Sequence, residues 1–565
     1  MKYKIASFDI FDTCVTRACG SSENFLDVLS TKVFLSEVDE STRQQFIIFR
    51  KKAEELSYSN NKKNTIYDIY NNFSYYNPKL KNKEELIKIE IELEEYVIVP
   101  VLSIKNKIEE LRNSNVRIIF ISDMYLPSSI LKPILLKKGI LRNSDDLFIS
   151  CETGYSKKDA SIFKYIHERE KIEYREWVHY GDNRIADVES PRKLGIQTIY
   201  INHAYNTFPL ILNQTTDYFN FKYKSILAGI SRSLFLSNTS NDRNALITDL
   251  IAPLYCSFIY SIFIDASRKK IKNIFFCARD CYQIFKIAQI INLDFPTISI
   301  KYLHISREAL KNTPTEILLS YFIQEGLASK DNLCAIVDVT TTGQTQTIIN
   351  NILNNNNFNL IYAYNLIRYD SSIKNFSDKM SINYCRQNYA QINKISKSLF
   401  ELKVVPPLLE SIFSINNEHR TIGYKKNDTI ISPIFAESDS NQDCIQDDKE
   451  YISDLQATIL TQYAQKYISF NLGLYSNTIL AEIALKQLLR FFYIPEKIYI
   501  KGLLNCKLIE NGKTIPFVKN DSFLSILKNK GKDTLWDRAT IIYSLPSILS
   551  KLFIKWRILR RNTND

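Results

Sequence analysis

SFDIFDTCVTR, residues 7–17, decides how this chain is read. The apolar run from Tyr3 to Phe8 has the character of a strand, and it delivers a carboxylate, Asp9, at its C-terminal end. Open parallel α/β sheets gather their functional groups along that carboxyl edge. Taken alone, such an acid is an ordinary turn or helix-cap residue. Three later stretches repeat the arrangement. VRIIFISDMYLP (116–127) is a strand, Val116 to Ile121, that ends in Ser122 and Asp123. GYSKKDASIF (154–163) carries Lys157, and WVHYGDNRIAD (177–187) runs from a strand into Gly181, Asp182 and Asp187. Singly, Ser122 reads as a helix cap, Lys157 as one of a solvated lysine pair and Asp187 as a helix acid. In series they bring a carboxylate, a hydroxyl, a lysine and paired acids to successive strand ends.

That order resembles the haloacid dehalogenase-like superfamily, whose four motifs lie on adjacent parallel strands of a Rossmann-like domain. The resemblance implies a nucleophilic Asp9 that forms an aspartyl phosphate, with Ser122 hydrogen-bonding a phosphoryl oxygen and Lys157 beside it. It also implies Mg²⁺ held by Asp9, Asp182, Asp187 and the main-chain carbonyl of Phe11. A covalent route splits one hard displacement into two easier ones. Attack of one anion on another needs positive charge in the site, and an oxygen-only ligand set suits Mg²⁺ better than zinc. One departure matters. The superfamily's phosphatases place a second Asp, which protonates the leaving group, two residues after the nucleophile; here that place is Phe11, and Asp12 follows it. Asp12 either serves as the acid from a shifted position or caps the turn. An aromatic there is similar to the metal-independent dehalogenases, but the paired acids Asp182 and Asp187 argue against that chemistry.

The insertion from about Ala18 to Lys105 is longer than a crossover needs and leaves room for a cap. STRQQFIIFRKKAEELSYS (41–59) opens with Ser/Thr capping candidates and has helical character. EELIKIEIELEEYVIVP (84–100) alternates like a strand yet keeps helical spacing at Leu86, Ile89, Leu93 and Tyr96. Its Glu/Lys content selects a helix, which Pro100 ends or bends. A helical cap in this slot resembles the superfamily class with a lid over the site.

The expected fold class is α/β. A Rossmann-like core with a helical cap after the first strand occupies residues 1–204, closing with a strand from Gln197 to Asn202. A second Rossmann-like region follows at 205–425, then a mainly helical part at 426–565. The second region gives strand, helix, strand, strand, helix, strand through IKNIFFCARDCYQIF (271–285), SIKYLHISREAL (299–310), NLCAIVDVTTTGQTQTIINNIL (332–353) and NLIYAYNLI (359–367). Within it DVTTTGQT, with Asp338, Thr341, Thr342, Gly343 and Thr345, resembles the phosphate-cradling loop of type I phosphoribosyltransferases. Val337 replaces the first acid of that pattern, and a plain strand-to-helix turn is the competing reading. Arg279 and Asp280, at another strand end, either line the same crevice or form a surface ion pair.

Composition bounds the rest. With 565 residues, 45% apolar and 24% charged, the chain is globular and too long for one core. Its net charge of +12 comes with an Ile, Asn, Lys, Tyr and Phe bias of the kind nucleotide composition produces, and no nucleic-acid recognition motif accompanies it. The 10 Cys form no CxxC pair and the 5 His give no zinc signature, which fits a cytoplasmic protein with reduced thiols. No leader precedes the first strand, and LIAPLYCSFIYSIFI (250–264), short and containing Pro253, reads as a buried helix. The closing SLPSILSKLFIKWRILRRNTND (544–565) reads as a basic amphipathic helix that meets an anionic inner-membrane surface, or equally as a docked helix with a solvated cationic face.

The motif series as a whole is similar to multidomain hydrolases of the superfamily encoded among bacterial surface-polysaccharide genes. The implied function is a Mg²⁺-dependent phosphohydrolase or phosphotransferase acting on a small phosphorylated sugar or sugar-nucleotide intermediate. The alternative is a catalytically weak binding module, disabled at Phe11, that supports a transferase or assembly role of the second region.

Overall fold

The computed structural model describes residues 3–34, 39–60, 63–76, 82–202, 218–238, 242–368, 381–383, 420–436 and 454–470, with shorter pieces between 472 and 544. The chain divides into two compact units, Met1–Ser240 and Asn241–Asp565.

In the first unit, β1 (Ile5–Asp9) is the middle strand of a five-stranded sheet. It pairs in parallel with β4 (Arg117–Ser122) on one side and β6 (Trp177–Gly181) on the other, with β5 (Asp146–Ile149) and β7 (Gln197–Tyr200) outside them. A central strand covered on both faces must be apolar on both. Ala6 and Phe8 pack with Phe120, Val178 and Tyr180 on one face. Ile5 packs with Ile119, Ile121, Phe163 and Trp177 on the other. The Phe8 and Tyr180 rings stack at 4.5 Å. The register sets Asp9 beside Ile121, so Asp9 and Ser122 finish at one sheet edge.

The insertion after β1 forms the expected helical cap. An antiparallel pair, β2 (Val15–Arg17) and β3 (Ile98–Pro100), makes its stem. Between them lie α1 (Ser22–Phe34), α2 (Glu40–Asn60), α3 (Ile66–Tyr76) and α4 (Lys83–Val97). The start of α2 is tied by Asp39, whose Oδ1 accepts from Thr42 N at 2.7 Å, with the Thr42 side chain bonded to the same carboxylate. The alternating stretch 84–97 is helical because its buried residues, Leu86, Ile87, Glu90, Leu93, Glu94 and Val97, recur at helical spacing.

Two charges inside the cap explain its acids. The Arg50 guanidinium, fully buried, donates through Nε and Nη2 to Glu90 at 3.1 and 2.7 Å. Tyr70 and Tyr125 hydroxyls donate to the same carboxylate at 2.6 and 2.9 Å. Burial alone would push the Glu90 carboxyl up; Arg50 and the two hydroxyls outweigh it and hold it below the usual carboxylate range. Since Tyr125 follows β4, this bond ties cap to core.

The boundary expected at residue 204 lies further on, because the helix Tyr218–Ser237 belongs to the first unit. Gly229 packs so closely on Gly20 that a Cβ at 229 would stand 2.2 Å from Gly20 N. Asn24 Nδ2 donates to Ser225 Oγ at 2.6 Å. Nothing in the apolar pattern of 218–237 distinguishes which core it joins.

The second unit holds another parallel sheet, in the order β12 (Ser381–Asn383), β11 (Tyr362–Arg368), β10 (Leu333–Thr341), β8 (Ile271–Cys277), β9 (Ser299–Leu303). The strands β8 to β11 fall where the sequence put them, whereas β12 was not anticipated. Helices Arg307–Asn312 and Thr315–Glu325, between β9 and β10, complete a crossover that the sequence reading omitted, and a parallel connection needs one. An antiparallel hairpin, β13 (Thr421–Asn427) and β14 (Ile430–Phe435), packs Tyr424 and Ile431 into this core, so the expected break at 425/426 falls inside a single element. Arg243–Arg268 is a continuous helical run of 26 residues whose most apolar 18-residue window has mean hydropathy 1.7, so by length and composition it is able to span a bilayer; 83% of that window is buried within the chain. The shortness inferred from sequence is thereby corrected while the expected burial holds; Pro253 lies in the first turn of Ala252–Arg268, directly after the π-helical stretch Ile247–Ile251. The acidic stretch 436–450, except Ala436, and the basic stretch from 545 lie outside the described residues.

Breaking a buried pair by removing one partner typically costs about 3–5 kcal/mol. Glu90→Gln is therefore expected to destabilise the first unit by about 3 kcal/mol or more in chemical denaturation, and a loss under about 1 kcal/mol would contradict the assignment.

Candidate active site

The carboxyl edge of the first sheet gathers the groups singled out in the sequence. Asp9, almost wholly buried, ends β1. Lys157 is 4% exposed, and its Nζ donates to Asp9 Oδ1. The same ammonium lies 2.7 Å from Asp187 Oδ1. The loop that carries Lys157 is fixed by Asp123, both of whose carboxylate oxygens accept from Lys157 N, at 3.2 and 3.0 Å. Ser122 ends β4, buried, one register step beyond Asp9.

Asp187 reaches the edge through an irregular turn. Residues Arg184–Glu189 form a π-helical turn, a form that recurs at functional sites. Asn183 Oδ1 caps it by accepting from Ile185 N and Ala186 N, both at 3.0 Å, while Asn183 N donates to Asp187 Oδ2 at 2.9 Å. Gly181 is required here: a Cβ would stand 2.4 Å from both Cβ and Cγ of Asp187. Asp182, half-buried, accepts from Thr13 Oγ1 at 3.4 Å.

A buried relay behind Asp187 was not anticipated. His179 Nε2 lies 3.2 Å from Asp187 Oδ1, and its Nδ1 lies 2.7 Å from Ser7 Oγ, which accepts from Trp177 Nε1 at 2.7 Å. Burial lowers the imidazole below its ordinary value, Asp187 opposing, so the ring is neutral near pH 7. Each group then has one role: Trp177 donates to Ser7, Ser7 to Nδ1, and Nε2–H to Asp187. The available signal was the pairing of Ser7 and His179, polar residues that interrupt apolar strands in register with each other.

The electrostatics of the acids diverge. Burial pushes Asp9 well above the usual carboxylate range; Lys157 opposes this, while Asp187 and Asp182 add to it. Burial also pushes Asp187 up, but Lys157 and His179 overcome it and hold it well below that range. Two carboxylates in one site thus have unequal proton affinities. Ligand oxygens of Asp9, Asp182 and Asp187 lie within 4.8 Å of one another, the spacing of a shared cation.

Asp12 is placed differently. It sits in left-handed backbone, φ +54°, in the turn after β1. Its Oδ1 accepts from Thr16 Oγ1 and from Arg232 Nη2, both at 3.2 Å. The Phe11 ring lies under the Arg17 guanidinium at 4.3 Å, and its backbone bridges to Val15. Of the second-unit residues, Asp338 and Thr341 lie on β10, and Gly343, φ +82°, precedes the helix Gln344–Asn355 that carries Thr345.

Five parallel strands in the order β5-β4-β1-β6-β7, a helical cap on a two-stranded stem after β1, and Asp9, Lys157, Asp182 and Asp187 at one strand edge settle the architecture. The first unit has a haloacid dehalogenase-like fold. Among solved structures, a HAD phosphatase from Thermococcus onnurineus is similar at 21% identity, covering 38% of this chain and 89% of that one, TM-score 0.25. A Bacillus subtilis protein described as a HAD hydrolase and bound to magnesium is similar at 16% identity, covering 37% and 93%, TM-score 0.27. A 2-haloacid dehalogenase from Pseudomonas syringae pv. Tomato is similar at 14% identity, covering 36% and 88%, TM-score 0.27. No family model and no curated protein matches the chain.

A cavity of about 710 Å³ adjoins the cluster around Lys157 through Asp123. Arg17, Lys51, Lys158, Tyr58, Tyr125 and Tyr155 line it, and Asp123, which fixes the Lys157 loop, lines it as well. Overpacking a tight backbone typically costs about 1–3 kcal/mol. Gly181→Ala is expected to lose about that much in denaturant unfolding and to displace Asp187; unchanged stability would show that the contact is relieved elsewhere.

Proposed function

We propose that the first unit is a divalent-metal-dependent phosphohydrolase in which Asp9 attacks the phosphorus of a small phosphorylated sugar and forms an aspartyl phosphate. The observation that carries the reading is the convergence of Asp9, Lys157, Asp182 and Asp187 on one buried strand edge. Asp9 Oδ forms the bond to phosphorus as the ester P–O bond breaks, and water then displaces the aspartate from phosphorus to release inorganic phosphate. Lys157 holds the Asp9 carboxylate and sets positive charge beside the transferring group. Asp187 is aimed by His179 and Asn183, and Asp123 holds the lysine loop. The three carboxylates are an oxygen-only donor set of the kind Mg²⁺ takes, and the Phe11 carbonyl is the further ligand implied by the family pattern. The bound ion would supply charge neutralisation at the phosphoryl oxygens. Ser122 is assigned to a phosphoryl oxygen. The adjacent cavity, lined by tyrosines with both basic and acidic side chains, suits a small polar substrate.

The leaving-group proton is a separate matter. Asp12 is engaged by Arg232 and Thr16, and Phe11 carries no proton. We assign Asp12 to the turn. Without a general acid, worth about 10²- to 10⁴-fold, turnover falls steeply as the leaving group becomes more basic. This same observation favours the second reading, a first unit with little turnover that serves as a binding module.

A panel of phosphate esters with Mg²⁺ separates the two. The first reading expects phosphate release that drops at least about a hundredfold in Asp9→Asn, changes less than about twofold in Asp12→Asn, and is greater for aryl than for alkyl esters. Equal background release by the native protein and Asp9→Asn would leave the binding module. Since Asp9 must lose its proton to hold a cation, and its pKa is raised, Mg²⁺-induced thermal stabilisation is expected to grow with pH through the folded Asp9 value and to vanish in Asp182→Asn. Stabilisation that is flat with pH would contradict the raised value.

A further inference from the structure

The second sheet has a site of its own at its carboxyl edge. From β8 the chain turns outward to β9, whereas β10 leads the other way to β11 and β12, so the strand order reverses between β8 and β10. Crevices at such reversals are where open α/β sheets take ligands. A cavity of about 470 Å³ opens there, in the range that holds a small molecule. Arg279 and Asp280 follow β8, Arg307 and Glu308 follow β9, and Asp338 with Thr340 come from β10; Arg420 completes the wall. Thr341, Thr342 and Thr345, around the start of the 12-residue helix Gln344–Asn355, line it as well.

Three features assign a ligand class. Arg420 is engaged by Glu308 at 2.8 Å, while Arg279 and Arg307, both close enough to Asp280 to act on its charge, line the same cavity as the turn before the Gln344–Asn355 helix. Two guanidinium groups and a helix start favour a phosphate group. Thr340 lines the cavity at 8% exposure, yet its Oγ1 makes no hydrogen bond within the chain, and a buried hydroxyl without a partner is costly. The acids complete the picture. Burial, with Asp280 nearby, pushes Asp338 up to about 7, so near neutrality it both donates and accepts hydrogen bonds, as ligand hydroxyls require. Asp280 is raised as well, by burial, with Arg279 and Arg307 opposing. Among the described residues, the one cluster of three or more acids, histidines or cysteines close enough to share a cation is that of the first unit, and we read the Asp280 and Asp338 pair as hydroxyl-binding.

We propose that the β8/β10 crevice binds a small hydroxylated phosphate ester, its phosphate held by Arg279, Arg307 and the Thr341–Thr345 turn and its hydroxyls by Asp280, Asp338 and Thr340. The site stands apart from hydrolysis in the first unit, and its test is independent of it.

Full-length Asp9→Asn protein is titrated calorimetrically with ribose 5-phosphate, with ribose and inorganic phosphate as the two partial ligands. Ribose 5-phosphate is expected to bind more tightly than either. Affinity should fall at least about tenfold in the added Arg279→Ala/Arg307→Ala variant, and about threefold in the near-isosteric Thr340→Val, which decides the matter should the double variant unfold. An added Asp182→Asn should leave it unchanged. Absence of binding, affinity indifferent to both the Arg pair and Thr340, loss of affinity in Asp182→Asn, or inorganic phosphate binding as tightly as the sugar ester would each overturn the proposal.

Discussion

Everything in the first unit is arranged around one buried ammonium. Lys157 Nζ lies between Asp9 and Asp187, each of which is almost wholly withdrawn from water. A single buried carboxylate costs several kcal/mol in lost hydration even after the protein relaxes. Two carboxylates in one site repel as well. The lysine makes their coexistence tolerable, and it divides them unequally, leaving Asp187 as the firmly ionised member and Asp9 as the one with proton affinity to spare. The residues around them keep that geometry: Asp123 holds the lysine backbone, while His179 and Asn183 hold Asp187.

The parallel sheet makes this possible. Strands that run the same way deliver their last residues to one edge, so groups far apart in sequence meet without long loops. The cost of burying charge recurs in the cap, where Arg50 meets Glu90 and Arg17 meets Glu94 at 2.7 Å. Such pairs contribute less to net stability than to fixing which residues face one another. Here the Tyr125 bond to Glu90 joins the cap's interior to the loop after β4, two residues from Asp123.

The strands and the four motif residues were legible because each is a local pattern: an apolar run, then a polar residue with chemistry. The cap helix 83–97 was legible by spacing even though its sequence alternates. The Ser7–His179 relay was not, since it depends on the register between β1 and β6, which pattern alone does not supply. The same holds for Arg232, which reaches Asp12 from a helix 220 residues away in sequence that lay beyond the expected domain end. Helices 307–325 were overlooked because two short amphipathic pieces joined at Pro314 show no sustained period. The helical run 243–268 is longer than the apolar stretch 250–264 because it extends through the polar residues Arg243, Asn244, Asp249, Asp265 and Arg268, which an apolar pattern does not include.

The account rests on Asp9 being the atom donor to phosphorus. Acid-quenching the protein during turnover of an aryl phosphate with Mg²⁺, followed by peptide mass spectrometry, tests this directly. The account predicts the mass of one phosphoryl group on the peptide that contains Asp9, localised to that residue and removed by hydroxylamine. Phosphate release at the same rate with no adduct on Asp9, or with the adduct on another residue, would contradict it.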